Sequence, residues 1–318
     1  MKLFLLSKQD VELAKEEVLA LTKSKNYFLD ENILILETNT KIKLDKRLAY
    51  TNAIYKFLFE TTAKKLERTV KEFNWNKIYK KNFAVRVNIR NNRSQTFEKY
   101  IAEIIWKKLK NPEVYLKNPK TAIHFFITEK KIYCGLLEHN IEKDWQLRKA
   151  HLRPALHPSS LNPKLAKACI NLTGIENGQL IDPFCGSGGI LIEAGMMKLK
   201  PVGYDIDKIM IKRAKINLKH YKINAIVKQM NALQIKHKLN YVVTDLPYGR
   251  NTKKQDLENL YLDFLKLLEK KLKNKAVVMF PDFIDYKKLI KQTMLKVEKE
   301  FSHYLHKSLT KKISVLSV

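Results

Sequence analysis

Residues 179–205 read Gln179-Leu180-Ile181-Asp182-Pro183-Phe184-Cys185-Gly186-Ser187-Gly188-Gly189-Ile190-Leu191-Ile192-Glu193-Ala194-Gly195, then Met196-Met197-Lys198-Leu199-Lys200-Pro201-Val202-Gly203-Tyr204-Asp205. A short apolar strand (Leu180, Ile181) ends in an acid. A glycine-rich turn follows, and an apolar helix starts at once at Ile190. A second strand, 202–204, ends in another acid, Asp205. This strand–helix–strand unit suits a nucleoside. Glycine lets the backbone approach a ligand closely, and an acid ending the second strand can accept from both ribose hydroxyls. Two phosphate-binding motifs are excluded. A P-loop needs Gly-Lys-Ser/Thr after the turn, whereas Gly189 precedes Ile190; a dinucleotide fingerprint needs G-x-G-x-x-G, and its last position here is Leu191. Taken alone, residues 186–189 also fit a plain tight connection.

A second stretch, Tyr241-Val242-Val243-Thr244-Asp245-Leu246-Pro247-Tyr248-Gly249, is an apolar strand ending in an acid, a proline and an aromatic ring. In an open α/β sheet, ligands sit beyond the carboxyl ends of the strands, so Asp182, Asp205 and Asp245 should face one crevice. A carboxylate accepts from an amino group, proline stiffens the turn, and the ring offers a base a stacking face. Together the two motifs resemble S-adenosylmethionine-dependent methyltransferases that act on exocyclic amino nitrogens. Their catalytic turn is Asp/Asn/Ser-Pro-Pro-Tyr/Phe/Trp. Leu246 departs from it, at a position that acts through its backbone carbonyl. The resemblance implies an α/β fold, the class I methyltransferase Rossmann-like seven-stranded sheet. It makes Asp245, Leu246, Pro247 and Tyr248 the catalytic turn. It assigns the cofactor to Asp182, Phe184, Cys185, Gly186, Ser187 and Gly188, the ribose side to Asp205 and Ile206, and the adenine side to Asn231 and Ala232. Asn231 stands where many such enzymes carry Asp; its amide oxygen still accepts, without the strength of a charge. Cys185 reads as a small residue filling a tight space rather than as a nucleophile.

The chain has 318 residues, enough for two or three domains, with 61 Lys and Arg against 32 Asp and Glu and a net charge of +29. A lysine-rich solvated surface is the plain explanation. The excess goes far beyond what solubility requires, however, and a nucleic-acid partner accounts for it most simply. A membrane surface is the competitor, but no run of about 18 apolar residues exists. Three cysteines (Cys134, Cys169, Cys185) without C-x-x-C spacing argue against a disulfide scaffold or a zinc site. The apolar start, residues 3–6, is too short for a signal peptide, so a cytoplasmic location is expected.

Upstream, residues 1–60 read as a small α+β domain, with strands at 3–6 and 33–37 and helices at 11–21 and 47–60. Residues 61–137 read as a second: an alternating strand at 83–90, a helix at 95–109, a strand at 114–120, and a hairpin of 123–128 with 131–136. Arg86 and Arg90 share the polar face of the alternating strand and could touch phosphates; an ordinary half-exposed strand reads the same way. With Arg93, Leu116-Lys117-Asn118-Pro119, Tyr133 and Gly135, this pattern resembles a THUMP RNA-binding domain preceded by its ferredoxin-like companion. The resemblance implies RNA contacts at Arg86, Arg90, Arg93, Lys117 and Asn118. Arg250, in a basic loop beside the catalytic turn, is a further candidate. Residues 138–153 read as a charged linker and 154–318 as the catalytic domain. Its lead-in, Arg153-Pro154-Ala155-Leu156-His157-Pro158-Ser159-Ser160-Leu161-Asn162-Pro163-Lys164-Leu165-Ala166, resembles the family segment that packs beside the cofactor, which implies His157 and Ser159 there. His151 and His157 lack acids at ligand spacing, and no metal is expected.

Over nearly its whole length the chain resembles the archaeal tRNA guanine-N2-methyltransferases that modify guanosine 10. That implies S-adenosyl-L-methionine as cofactor, tRNA as partner, and one or two methyl groups added. A monomer is expected; a small activating subunit is left open. Relatives that modify guanosine 6 are not separated by sequence. A non-catalytic THUMP RNA-binding protein would have no use for an acid, a proline and a tyrosine at one strand end. A thiouridine synthetase would need Ser-Gly-Gly-x-Asp-Ser, and Ile190-Leu191 breaks that pattern. DNA and protein-glutamine methyltransferases share the catalytic turn but leave the N-terminal half unexplained.

Overall fold

A computed structural model describes residues 1–89, 92–157, 160–248, 254–306 and 309–318, with backbone alone for Asn92, Arg93, Leu305, His306 and Leu309. The first sheet contains β1 (Lys2–Leu6), β2 (Tyr27–Asp30), β3 (Ile33–Leu36), β4 (Thr51–Thr61), β5 (Phe83–Ile89), β6 (Asn92–Arg93), β7 (Thr121–Ile127) and β8 (Ile132–Asn140). The second contains β9 (Gln179–Asp182), β10 (Lys200–Asp205), β11 (Ile226–Gln229), β12 (Leu239–Asp245), β13 (Leu272–Pro281), β14 (Lys296–His306) and β15 (Leu309–Ser317). The helices are α1 (Val11–Thr22), α2 (Leu44–Arg47), α3 (Leu66–Glu72), α4 (Gln95–Trp106), α5 (Pro163–Leu172), α6 (Gly189–Met196), α7 (Lys208–His220), α8 (Lys254–Lys271) and α9 (Tyr286–Ile290).

The chain forms two compact units. One comprises Met1–Val11, Ser24–Asn39 and Thr51–Glu142; the other comprises Glu12–Lys23, Thr40–Tyr50 and Lys143–Val318. In the first, the strand order is β2-β3-β1-β4-β8-β7-β5-β6. The two N-terminal stretches expected as separate domains therefore share one sheet. Their boundary at 60/61 falls inside β4, which pairs with β1 on one side and β8 on the other. The helix expected at 47–60 is this strand. Leu48, Ala49, Ala53, Ile54, Phe57 and Leu58 do match helical spacing, but Thr51, Ile54, Tyr55, Phe57, Phe59 and Thr61 are strong strand formers, and two-sided pairing decides. Residues 114–120 form no strand. Val114 makes a single bridge to Phe83 and the rest is loop.

The second unit is a seven-stranded sheet in the order β11-β10-β9-β12-β13-β15-β14. β11, β10, β9, β12 and β13 pair in parallel; β15 and β14 close the sheet antiparallel. Consecutive strands run outward from β9 to β11 on one side, and the chain then returns to lay β12 on the other. The switch point thus lies between the carboxyl ends of β9 and β12, where open α/β sheets bind ligands. Helix α8 buries Leu257, Tyr261, Phe264, Leu265 and Leu268, a helical stripe, against one face. Helices α6 and α7 cover the other through Leu191, Ile192, Ile211, Ala214 and Leu218.

This unit reaches into both stretches expected to lie outside it. Glu17 of α1 is fully buried and accepts from the backbone N–H groups of Ala49 and Tyr50 and from Asn171 Nδ2, each at 2.8 Å. Arg47 donates to Asn171 Oδ1 at 3.0 Å and to the carbonyl of Ile175 at 2.8 Å. The expected linker 138–153 likewise dissolves. Its first residues finish β8, and a 3-10 turn at Asp144–Arg148 is anchored by Arg148, which grips buried Glu193 through two bonds of 2.8 Å.

Candidate active site

The glycine turn follows from the sequence residue by residue. Gly186 and Gly188 take positive φ, +51° and +86°, a region that L side chains avoid. A Cβ on Gly188 would also lie 3.3 Å from that of Ala214. Cys185 is 5% exposed, with Sγ against the space left by Gly203, where a Cβ would come within 2.9 Å. Burial pushes its thiol up, which suits a small residue filling a tight space. Ser187 bonds side chain to side chain with Ser160 at 2.8 Å. Buried Asn217 of α7 donates to the Ser187 carbonyl at 3.0 Å and exchanges two bonds with the backbone of Ala155. One amide therefore ties the lead-in segment to the glycine turn.

Three acids end neighbouring strands. Asp205 accepts from Gly186 N at 2.8 Å and, through its other oxygen, from Asp207 N at 2.9 Å. Each oxygen keeps a second lone pair for a hydroxyl. Asp182 is 1% exposed and accepts from Thr244 Oγ1 at 2.8 Å and Phe184 N at 3.2 Å. Burial outweighs those bonds and pushes its carboxyl up to about 8. Asp245 is also pushed up by burial, and the ammonium of Lys311 opposes the shift by pairing with Oδ1.

The turn after Asp245 is held from below. Leu246 is fully buried, and its N–H donates to the Met279 carbonyl at 3.1 Å. A proline has no N–H to make that bond, which accounts for the departure from Pro-Pro at this position. The Pro247 carbonyl accepts from Tyr261 Oη at 2.5 Å. Lys311 Nζ lies 4.3 Å from the centroid of the Tyr248 ring. Asn231 caps a 3-10 turn by accepting from Leu233 N at 2.9 Å, which leaves one lone pair on its amide oxygen.

These groups line one cavity of about 590 Å³. It collects His157, Asp182, Phe184, Cys185, Gly186, Ser187, Asp205, Ile206, Asn231, Ala232, Asp245, Leu246, Pro247 and Tyr248. A model of an RMKL-like methyltransferase domain matches residues 150–311. A DNA methylase model matches residues 2–215, a span that stops before Asp245. A tRNA (guanine(10)-N2)-dimethyltransferase of Methanothermobacter thermautotrophicus is 34% identical over 284 residues, covering 86% of this chain and 84% of its own. One from Pyrococcus abyssi is 31% identical over 315 residues, 94% of each.

The chain belongs to the tRNA (guanine(10)-N2)-dimethyltransferase family. Among solved structures, TrmN from Thermus thermophilus covers 99% of both chains at 18% identity with a TM-score of 0.54. SMU.472, solved with SAH, covers 99% of this chain and 97% of its own at 16% identity and a TM-score of 0.50. At such identities the likeness is one of fold, the class I methyltransferase fold.

Within this family member, sequence reading found the strand-end acids and the turns but missed what braces them. Lys311, Asn217, Tyr261 and Thr244 carry no local motif. Lys311 alone left a trace, as a lysine at an apolar alternation step of β15 beside Ile313 and Val315. Gly188 shapes the turn from outside the cavity lining. Ser159, Arg250 and Arg90 lie outside the described residues, and of Arg93 only the backbone, in β6, is described. In the first unit, Lys117 and Asn118 are exposed on a loop. Arg86, whose alternation suggested a phosphate contact, donates to the carbonyls of Val85 and Leu116 and lies 3.8 Å from Glu98.

Proposed function

We propose that this chain methylates the N2 amino group of guanosine 10 in tRNA, using S-adenosyl-L-methionine. The observation that carries the reading is the convergence of the Asp245-Leu246-Pro247-Tyr248 turn and the glycine turn, with its ribose acid Asp205, on one cavity. The residues fit the cofactor: a glycine cradle, the Asp205 carboxylate with two open lone pairs, and a second carboxyl, Asp245, nearby make an anionic pocket for a sulfonium cation. When bound, the cofactor would supply an electrophilic methyl: the nitrogen pair would form the N–C bond as the S–C bond breaks toward sulfur, and the proton lost from nitrogen would pass to water or to the Asp245 carboxylate. Asp205 holds the ribose hydroxyls and Asn231 the adenine amino group. Asp245 and the Leu246 carbonyl accept from the guanine amino protons, which draws the delocalised lone pair back onto nitrogen, aims it at the methyl and offsets the positive charge developing there. Tyr248 stacks on the base, a contact worth roughly 1–3 kcal/mol. The base has to leave the RNA stack to reach this cavity. After one transfer a single N–H remains, and Asp245 can accept it in a second, which suits dimethylation.

The first unit is the RNA-binding part in this reading, of THUMP type. A groove along α4 and the loop after it combines the half-exposed Trp106 with Lys99, Lys107 and Lys117, the aromatic and cationic mixture that suits single-stranded RNA. Among the described residues no helix is long and apolar enough to cross a membrane. With tRNA as substrate, we place the protein in the cytoplasm, acting as a monomer. The deciding experiment is transfer of labelled methyl to an unmodified tRNA transcript, followed by nucleoside analysis. Label in N2-methyl- or N2,N2-dimethylguanosine that disappears when guanosine 10 is replaced supports the reading. Label that survives the replacement moves the site, with guanosine 6 next in line.

A further inference from the structure

Lys311 is 2% exposed, and its ammonium reaches Asp245, a residue of the cavity lining. It comes from β15, two strands from β12 in the sheet order. The register sets Asp245 opposite Met279 and Lys311 opposite Pro281 on the intervening strand. Two strand spacings are about 9–10 Å, which a long side chain has to cross to reach the end of β12. The ammonium pairs with Asp245 Oδ1 and lies over Tyr248, so one residue touches both working groups of the turn. Among the described residues, the second oxygen of Asp245 has no hydrogen bond, which leaves it for the substrate.

We propose that Lys311 is the positioning residue of this site: it keeps the Asp245 carboxylate ionised and aimed, and it backs one face of the Tyr248 ring so that the other receives the base. The proposal rests on the reading of Asp245 as the acceptor of the amino protons. A neutral carboxyl gives up part of its acceptor capacity to an O–H donor, whereas the charged form accepts the amino protons more strongly and offsets the positive charge developing on nitrogen. Every other titratable group facing Asp245 fails to help. Asp182 on β9 is a like charge when ionised, Cys169 on α5 and Tyr261 on α8 are neutral at physiological pH, and the phenol of Tyr248 brings no cation. Lys311 is the one cation in this surround among the described residues. A cation on one face of an aromatic ring also fixes the ring's orientation.

The test uses the intact chain, a tRNA transcript and S-adenosylmethionine, and compares wild type with Lys311→Met, Lys311→Arg and Asp245→Asn. For Lys311→Met, kcat at pH 7 should fall about 100-fold, on the scale of one lost preorganised electrostatic contact. Its acid limb should move up by about one pH unit or more, because burial of Asp245 is no longer opposed. Cofactor affinity should stay within about twofold, and Lys311→Arg should bring the acid limb back. If Lys311→Met does not fold, Lys311→Gln, which keeps a donor without the charge, is read the same way. A loss of rate equal at every pH, or a wild-type rate, overturns the proposal. Full activity of Asp245→Asn overturns the reading of the site itself, whatever Lys311 does.

Discussion

Asp245 and Asp182 are chemically the same group, set to different tasks by their neighbours. Asp245 has a cation at hand, while Asp182 has one hydroxyl and one backbone N–H. Asp245→Asn keeps the shape but removes the charge, so kcat should fall by about 10²–10³. Calorimetric affinity for S-adenosylmethionine should change by less than about twofold, since Asp205 and the glycine turn hold that ligand. Equal loss of both would assign Asp245 to cofactor binding instead. Asp182, pushed up from its ordinary 3.8 to about 8, carries a different signature. For a raised acid, the folded state binds the extra proton. Its stability contribution is therefore complete below the ordinary value and is lost as pH rises through about 8. A sulfonium cation placed nearby favours the ionised form. Binding should then release a proton and tighten as pH rises toward about 8. Calorimetry in buffers of different ionisation enthalpy measures that proton; Asp182→Asn should abolish it, and a pH-independent affinity in wild type would remove Asp182 from the cofactor's field.

At the scale of elements, the β9–α6–β10 unit was legible because each of its requirements is local. Glycine is needed where φ is positive, an acid where a strand ends, and apolar residues where a helix is buried on both sides. β4 was not legible, because its apolar spacing fits both a helix and a strand, and only pairing with β1 and β8 separates them. The braces of the site fall in the same class. Asn217 sits in an ordinary amphipathic helix, and nothing in its neighbourhood announces that it holds segments 62 and 30 residues away in the chain. Removing that amide leaves the buried Ser187 carbonyl short of a partner, at roughly 1–3 kcal/mol, and the part-buried N–H and carbonyl of Ala155 as well, at less. Asn217→Ala should therefore lower the melting temperature and weaken cofactor binding several-fold, because the lead-in and the glycine turn are no longer tied. Asn217→Asp keeps the acceptor for Ala155 N but sets a carboxylate oxygen against the Ala155 and Ser187 carbonyls at a fully buried position, so it should cost at least as much in the melt. A cofactor affinity equal to wild type in both variants would mean that the two segments hold their places without the amide.

Across the whole molecule, the order of elements along the chain differs from the order of packing. Sequence reading cuts a chain where composition changes, and so it placed the catalytic domain from 154 onward. The packing instead recruits Glu12–Lys23 and Thr40–Tyr50 into that unit. The bond between them is polar and buried. Glu17 takes three donors, Asn171 is fully buried with its donor and acceptor both engaged, and Arg47 finds backbone carbonyls at the end of α5. Burial pushes the Glu17 carboxyl up and the Arg47 guanidinium down to about 10, so each is held in an environment that penalises its charge and tolerates it only through these bonds. A fragment of residues 143–318 keeps every cavity-lining residue but loses α1 and α2, leaving the apolar and polar surface of α5 open. It should melt at least about 5 °C below the intact chain, or aggregate, with cofactor binding weakened to match. In the intact chain, Glu17→Leu should reproduce part of the loss, because the N–H groups of Ala49 and Tyr50 and the Asn171 amide keep their burial and lose their acceptor. If the fragment melts and binds S-adenosylmethionine as the intact chain does, α5 is self-sufficient and the recruited segments contribute no stability to the catalytic unit.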